Sequence, residues 1–197
     1  MLWVGITGGL GSGKSSVSSI LRSMGYKVLD ADEISHQLIL PGLLAYNEIV
    51  MAFGPVILNE DQSINRKKVA EIVFSNPENL LKLEKILHPK IQQKVIEIKN
   101  ELSLSHEISF YDVPLLFEKN LEKNFDRIIV VDCPNQLRKV RTLNRTGWTE
   151  EEYLKRLSAQ IPLEEKVKKT HYIIKNDGDL ESLKNETIRV LDLLKRP

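Results

Sequence analysis

Eight residues near the start of the chain, Gly8-Gly9-Leu10-Gly11-Ser12-Gly13-Lys14-Ser15, restrict what it can fold into more than any other stretch. They satisfy G-x-x-x-x-G-K-[ST] at every position. Leu2-Trp3-Val4-Gly5-Ile6-Thr7 before them suits a buried strand, and Val17, Ile20, Leu21 and Met24 after them recur at i, i+3, i+4 and i+7, one face of a helix. Strand, glycine loop and helix in that order make a phosphate-binding loop. Backbone N–H groups wrap a phosphate chain only where the peptide approaches closely, which favours glycine. A helix opening at Gly13–Ser15 adds unpaired N–H groups and the positive end of its dipole. Lys14 is then the residue that reaches the β- and γ-phosphates, and the Ser15 hydroxyl is a ligand for Mg²⁺. A glycine-rich turn that binds nothing needs neither the lysine nor the flanking elements.

The rest of the chain must build the fold around that loop. Its 197 residues suit one domain with insertions, and 42% hydrophobic with 28% charged residues is the composition of an ordinary globular protein. A net charge of +1 gives no reason to expect a nucleic-acid surface. No apolar run reaches membrane-spanning length and the chain enters a strand at once, so no membrane partner and a cytoplasmic location are expected. The single cysteine, Cys133, excludes an internal disulfide framework and is expected to pack at a strand end. His36, His88, His106 and His171 show no paired metal-ligand spacing, and His88-Pro89 suits a helix start.

Apolar runs alternate with helical periods, the pattern of a parallel α/β sheet. Five strands are expected: Leu2–Thr7, Tyr26–Leu29 ending at Asp30, Ile108–Val113, Arg127–Val131 and Tyr172–Ile174. The fold class is thus a P-loop α/β fold with a five-stranded parallel sheet flanked by helices, the second strand lying beside the first. Turn formers gather at the strands' C-terminal ends, where open α/β sheets bind ligands. The roughly eighty residues between strands two and three far exceed a simple crossover. Val69, Ile72 and Val73 mark one helix there, Leu80, Leu83 and Leu87 a second, and Ile91, Val95, Ile98 and Leu102 a third beyond Pro89. These helices either wall an acceptor site or simply cover the sheet.

After Pro134 a helix carries Leu137, Val140 and Leu143 on one side and Arg138, Arg141 and Arg145 on another. Gly147 ends it, and Thr149 with Glu152 forms a capping box for the next, which carries Arg156. Such arginines are either a solvated face or a lid that closes on phosphates. The phosphate loop favours the second for Arg141 and Arg145. The last helix, with Leu180, Leu183, Val190, Leu191 and Leu194, is expected to serve packing alone. The core is then approximately 1–33, 106–136 and 170–197, the helical acceptor subdomain approximately 34–105 and the lid approximately 137–169.

Neither Asn-Lys-x-Asp nor Asp-x-x-Gly occurs, which argues against a GTPase. A small-molecule kinase is favoured over an ATPase motor. Asp30-Ala31-Asp32, at the end of the second strand, then offers a general base for an acceptor hydroxyl. Asp32 takes that role and Asp30 a capping or Mg²⁺-linked one, while Asp112, ending Phe110-Tyr111-Asp112, is a candidate second ligand for Mg²⁺. The alternative is that these aspartates merely cap the following helix.

In these residues the chain resembles the dephospho-coenzyme A kinase family. The likeness covers Gly5 to Ser15 and Asp30-Ala31-Asp32, then Pro41-Gly42, Phe53-Gly54, Ile64-Asn65-Arg66 and His88-Pro89. It continues through Asp112-Val113-Pro114-Leu115-Leu116-Phe117-Glu118, Arg141, Arg145, Arg156, Ala159-Gln160, Asn176 and Gly178. The resemblance implies ATP-dependent phosphorylation of the ribose 3′-hydroxyl of dephospho-coenzyme A; a monomer or weak homo-oligomer is expected. It implies ATP contacts along Gly8 and Gly11-Ser12-Gly13-Lys14-Ser15-Ser16, the base at Asp32, catalytic roles for Lys14, Arg141 and Arg145, and Asn176 and Gly178 near the adenine. His88, Pro114 and Leu115 would lie near the acceptor. The readings left beside it are a nucleoside or nucleotide kinase with another acceptor and an ATP-binding switch protein. The chain departs from the family pattern at Ser16, at Asp61-Gln62-Ser63, where Asp-Gly is usual, at His171-Tyr172, and at Arg138, where Gln is frequent and whose role is open.

Overall fold

In the computed structural model, residues 1–196 are described, apart from the side chain of Phe74; Pro197, the last residue of the expected core, lies outside them. The chain divides into two compact units, Met1–Asp30 with His106–Pro197, and Ala31–Ser105. Asp32 and Glu33, expected in the core, fall in the second unit, because its first helix starts directly after the second strand. Residues 137–169, expected as a lid, belong to the first.

The first unit is built on five parallel strands in the order β2-β3-β1-β4-β5: β1 (Leu2–Gly8), β2 (Lys27–Asp30), β3 (Ile108–Asp112), β4 (Arg127–Asp132) and β5 (Tyr172–Lys175). All five expected strands form, within a residue or two. The expected neighbourhood of β1 and β2 does not. β3 lies between them, so Asp112 pairs in register with Ile6 of β1 on one side and with Asp30 of β2 on the other. Sequence order carries no instruction for this, because a crossover helix can skip a strand position that a later strand fills. β1 is central, and β3 and β4 flank it. This is the switch point of an open sheet, and the glycine loop leaves it at the C-terminal edge.

Helix α1 (Lys14–Ser23) packs Val17, Ile20 and Leu21 against the sheet, in one cluster with Val4, Ile6, Phe110 and Ile129. Met24, expected on the same face, is exposed, because the helix has ended before it; Gly25 follows at φ +87°. Beside α1, in the same cluster, α9 (Leu180–Leu194) buries Leu183, Val190, Leu191 and Leu194, while Leu180, in its first turn, is exposed.

The second unit holds α2 (Ala31–Leu38), α3 (Leu44–Phe53), α4 (Arg66–Ser75) and α5 (Pro77–Ser103). Its core gathers Ile49, Ile57, Ile64, Val69 and Val73, against which Leu80, Leu83, Ile86 and Leu87 pack. Two of the expected helices are one: α5 runs unbroken through Pro89, so His88-Pro89 lies mid-helix and does not start one. The proline ring removes one hydrogen bond and crowds the preceding turn. There the Lys90 ammonium donates to the Ile86 carbonyl (3.2 Å) and pairs with Glu48 of α3 (2.7 Å). Packing of Leu80, Leu83, Ile86 and Leu87 against the unit's core holds the helix up to the ring and offsets that local loss.

The Asp61-Gln62-Ser63 turn keeps a tight geometry without glycine. Gln62 sits at φ +65°, while Asp61 Oδ1 accepts from the Ser63 amide (3.0 Å) and the Asn59 amide donates to the Ser63 carbonyl (2.9 Å). A side chain in that backbone region is strained by about 1 kcal/mol. Gln62→Gly is therefore expected to raise stability by about 0.5 kcal/mol after the unfolded chain's extra freedom is subtracted, measured by the urea midpoint at unchanged slope. A lowered midpoint would contradict this account of the turn.

Candidate active site

The glycine loop connects β1 to α1 with Gly11 at φ +76° and Gly13 at φ +92°. Its bareness is filled by side chains from elsewhere in the sheet unit. A Cβ on Gly13 would stand 2.1 Å from Asn176 Nδ2, and one on Gly11 would meet Thr142 Oγ1 at 2.3 Å and the Arg138 carbonyl at 2.6 Å. Asn176, buried just past β5, donates from Nδ2 to the Ser12 carbonyl (2.8 Å). Gly13 is also the residue before the first turn of α1, so the Lys14, Ser15 and Ser16 amides follow directly at the helix start.

A second set of contacts grips the loop's start. Lys166, on α8 (Leu163–Lys168), is completely buried: its ammonium pairs with Glu118 Oε1 at 2.7 Å and donates to the Gly8 carbonyl at 3.3 Å. The same Glu118 oxygen accepts from the Ile161 amide (2.9 Å), and Gln160 Oε1 accepts from the Leu10 amide (3.0 Å). Burial pushes the Lys166 ammonium below its ordinary pKa, a tendency that Glu118 opposes and that the Lys14 and Arg138 cations reinforce. Glu118 entered the sequence reading only as the last letter of a resembling motif, and Lys166 not at all. A lysine in Glu165-Lys166-Val167-Lys168 reads as a solvated face, and no local signal marks it as buried.

Helix α6 (Asn135–Thr146) inverts its expected faces. Arg138 and Thr142 are buried, at 4% and 1% exposure, while Leu137 and Val140 are exposed. The polar side of the helix is the one that lies on the glycines, where side chains are missing: Arg138 against Gly9 and Thr142 against Gly11. Arg141 is held by acceptors of its own unit: Nη1 reaches the Asn176 carbonyl (3.1 Å) and Cys133 Sγ (3.5 Å), and Nη2 the Gly178 carbonyl (3.2 Å). Arg145, one turn on, is exposed. Arg156, on α7 (Glu150–Leu157) behind its Thr149–Glu152 capping box, lies 3.9 Å over the Trp148 ring. Cys133 is buried after β4, and burial raises its thiol pKa while Arg141 works the other way, so it is a packed thiol and not a nucleophile.

At the edge of β3, Asp112 is buried and accepts from Ser18 Oγ of α1 (2.9 Å). Pro114, in the turn after β3, accepts from Thr7 Oγ1 (3.2 Å), with Leu115 next to it. Asp32 and His88 belong to the helical unit. Asp32 lies in the first turn of α2, and His88 is half-exposed on α5, 3.9 Å from Glu84. Asp32 thus stands inside the helix, not before it, which removes the N-cap reading for this residue.

Among the described residues no group of three or more His, Cys, Asp or Glu side chains is placed to hold a metal, and no helix is long and apolar enough to cross a membrane. A magnesium ion on a nucleotide asks for less. It keeps most of its shell as water and phosphate and takes one or two protein oxygens. The hard oxygens of Ser15 and Asp112 fit that need.

A sequence profile of dephospho-CoA kinases matches residues 2–182, which carry the loop, the aspartates and the arginines just described. The chain belongs to the dephospho-CoA kinase family. It is 41% identical to the dephospho-CoA kinase of Geobacillus kaustophilus, over 96% of this chain and 95% of that one. Two solved structures share its fold along nearly their whole lengths. One, a Thermus thermophilus protein, superposes with a TM-score of 0.84 at 35% identity, covering 99% of this chain and 98% of its own. The other, a dephospho-CoA kinase from Campylobacter jejuni, gives 0.74 at 32% identity, with 98% and 96% covered. The buried Lys166–Glu118 pair of this family member sits beneath the segment that enters the phosphate loop. Lys166→Met leaves Glu118 buried without its partner and is expected to cost about 3 kcal/mol of stability. Adding Glu118→Leu should return most of it, as thermal denaturation of the two variants would record. Equal losses in single and double variants would show that the lysine stem's packing, not the charge, is what matters.

Proposed function

We propose that this chain transfers the γ-phosphoryl group of ATP to the ribose 3′-hydroxyl of dephospho-coenzyme A, giving coenzyme A and ADP. The observation that carries this is membership of a family named for the reaction, along residues 2–182. The phosphate loop, packed as a nucleotide site requires, supports it independently of the name.

The division of labour follows from chemistry. Amide groups from Gly11 to Ser16 wrap the triphosphate, and Gly8, the last residue of β1, sets the loop's entry. Lys14 balances charge on the β- and γ-phosphates. Ser15 and Asp112 are the residues that would hold Mg²⁺, which would supply positive charge to offset that of the phosphates. Asp32 accepts the proton of the acceptor hydroxyl as its oxygen bonds to the departing phosphorus. Asn176 and Gly178 line the adenine, and Arg141, tied to both their carbonyls, fixes the loop that carries them. Arg145 is the lid cation, being exposed on α6. His88, Pro114 and Leu115 belong to the acceptor side. Phosphoryl transfer depends on position and charge more than on covalent assistance, so this set is sufficient.

Asp32→Asn keeps the shape of the side chain and removes its basicity. It should lower turnover by roughly two to four orders of magnitude with ATP affinity nearly intact, measured as ADP release with Mg-ATP and dephospho-coenzyme A. Near-normal turnover of that variant would remove Asp32 from the mechanism. In the wild-type protein, stimulation by adenosine, AMP, CMP or shikimate in place of dephospho-coenzyme A would instead favour a kinase with another acceptor.

A further inference from the structure

Arg138 has no part in the division of labour above, yet its placement is the least ordinary in the sheet unit. Its side chain is 4% exposed, and its Nη1 stands 2.5 Å from where a Cβ on Gly9 would be, directly against the phosphate loop. Nε donates to the Cys133 carbonyl (3.0 Å), and among the described residues no carboxylate pairs with the guanidinium. Lys166, also buried, has its own carboxylate in Glu118. Arg138 and Lys14 are both close enough to Lys166 to depress its ammonium. Three cations therefore crowd one loop, and of Lys166 and Arg138 only Lys166 is paired with a carboxylate. An arginine cannot shed its proton to relieve burial, so an unpaired one is a standing cost to the folded protein.

We propose that Arg138 is a nucleotide-affinity residue: a buried, unpaired cation beneath the phosphate loop whose counter-charge is the triphosphate of bound ATP. It acts through the field at Gly9, not as a proton donor or acceptor, and it needs no movement of the loop. In a low-dielectric setting a unit charge at this range is worth a large factor in anion affinity. The proposal rests on the nucleotide reading of the loop but on no particular acceptor.

Two properties should respond to its removal in opposite directions. Arg138→Gln deletes the charge and keeps a polar side chain for the Cys133 carbonyl. Without nucleotide, the variant should melt no lower than wild type. Its dissociation constant for Mg-ATP, measured by calorimetry without acceptor, should rise by about ten- to hundredfold, with adenosine binding little changed. Arg138→Lys should recover most of the ATP affinity. An unchanged ATP dissociation constant in Arg138→Gln would overturn the proposal, as would a variant that fails to fold, because the charge would then be serving the free protein. Lost affinity that Arg138→Lys does not restore would equally overturn it, assigning the effect to shape. If wild-type protein binds no ATP in the same titration, the nucleotide reading itself falls; if wild type binds and Arg138→Gln binds equally, only the role of Arg138 does.

Discussion

Everything in the sheet unit is arranged around a stretch of backbone that has almost no side chains of its own. From Gly8 to Gly13 the chain must present amide groups at close range, so its packing has to be supplied by others. Asn176 from the end of β5 fills the space at Gly13, Arg138 and Thr142 of α6 lie on Gly9 and Gly11, and Lys166 of α8 reaches the Gly8 carbonyl. Three segments distant from the loop in sequence therefore share one constraint. Asn176 and Lys166 bring donors to the Ser12 and Gly8 carbonyls, which a purely apolar neighbour would leave buried without partners, while Arg138 and Thr142 lend the glycines bulk.

That requirement explains features that look anomalous one at a time. An amphipathic helix normally buries its apolar side, yet α6 buries an arginine and a threonine and leaves Leu137 and Val140 in solvent. A fully buried lysine is rarely worth its desolvation, yet Lys166 persists where one carboxylate, Glu118, and one carbonyl meet it together. Glu118 in turn ties the turn after β3 to Ile161, and Gln160 beside it ties back to Leu10. The loop is thereby held from its flank by a small closed circuit of contacts. A nucleotide site gains from this, since groups that are already positioned need no reorganisation when charge arrives.

Arg141 illustrates how a residue type can be identified before its task. Arginines three and four apart on a helix near a phosphate loop point to phosphate contacts, and all were visible in the sequence. In the folded unit their surroundings separate them. Arg138 is buried at Gly9, Arg141 is spent on the carbonyls of Asn176 and Gly178, and Arg145 is exposed. Helical spacing places side chains on a face; it says nothing about which acceptors that face will meet.

Local pattern was enough for the phosphate loop, the five strands, the capping box at Thr149 and the family, because each depends on glycine spacing, apolar runs or caps within a few residues. Pattern failed where distant segments compete. The position of β3 between β1 and β2, which puts Asp112 next to the loop strand, follows from sheet assembly and not from chain order. The continuity of α5 through Pro89 was decided by tertiary packing of the turns before it, Leu80 to Leu87, and by the Lys90–Glu48 pair just after it, against one lost hydrogen bond. The burial of Lys166 and Arg138 was decided by the bare backbone of a loop more than a hundred residues away in sequence. A charged side chain carries no mark of the partner it will find, and only the tertiary structure brings that partner to it.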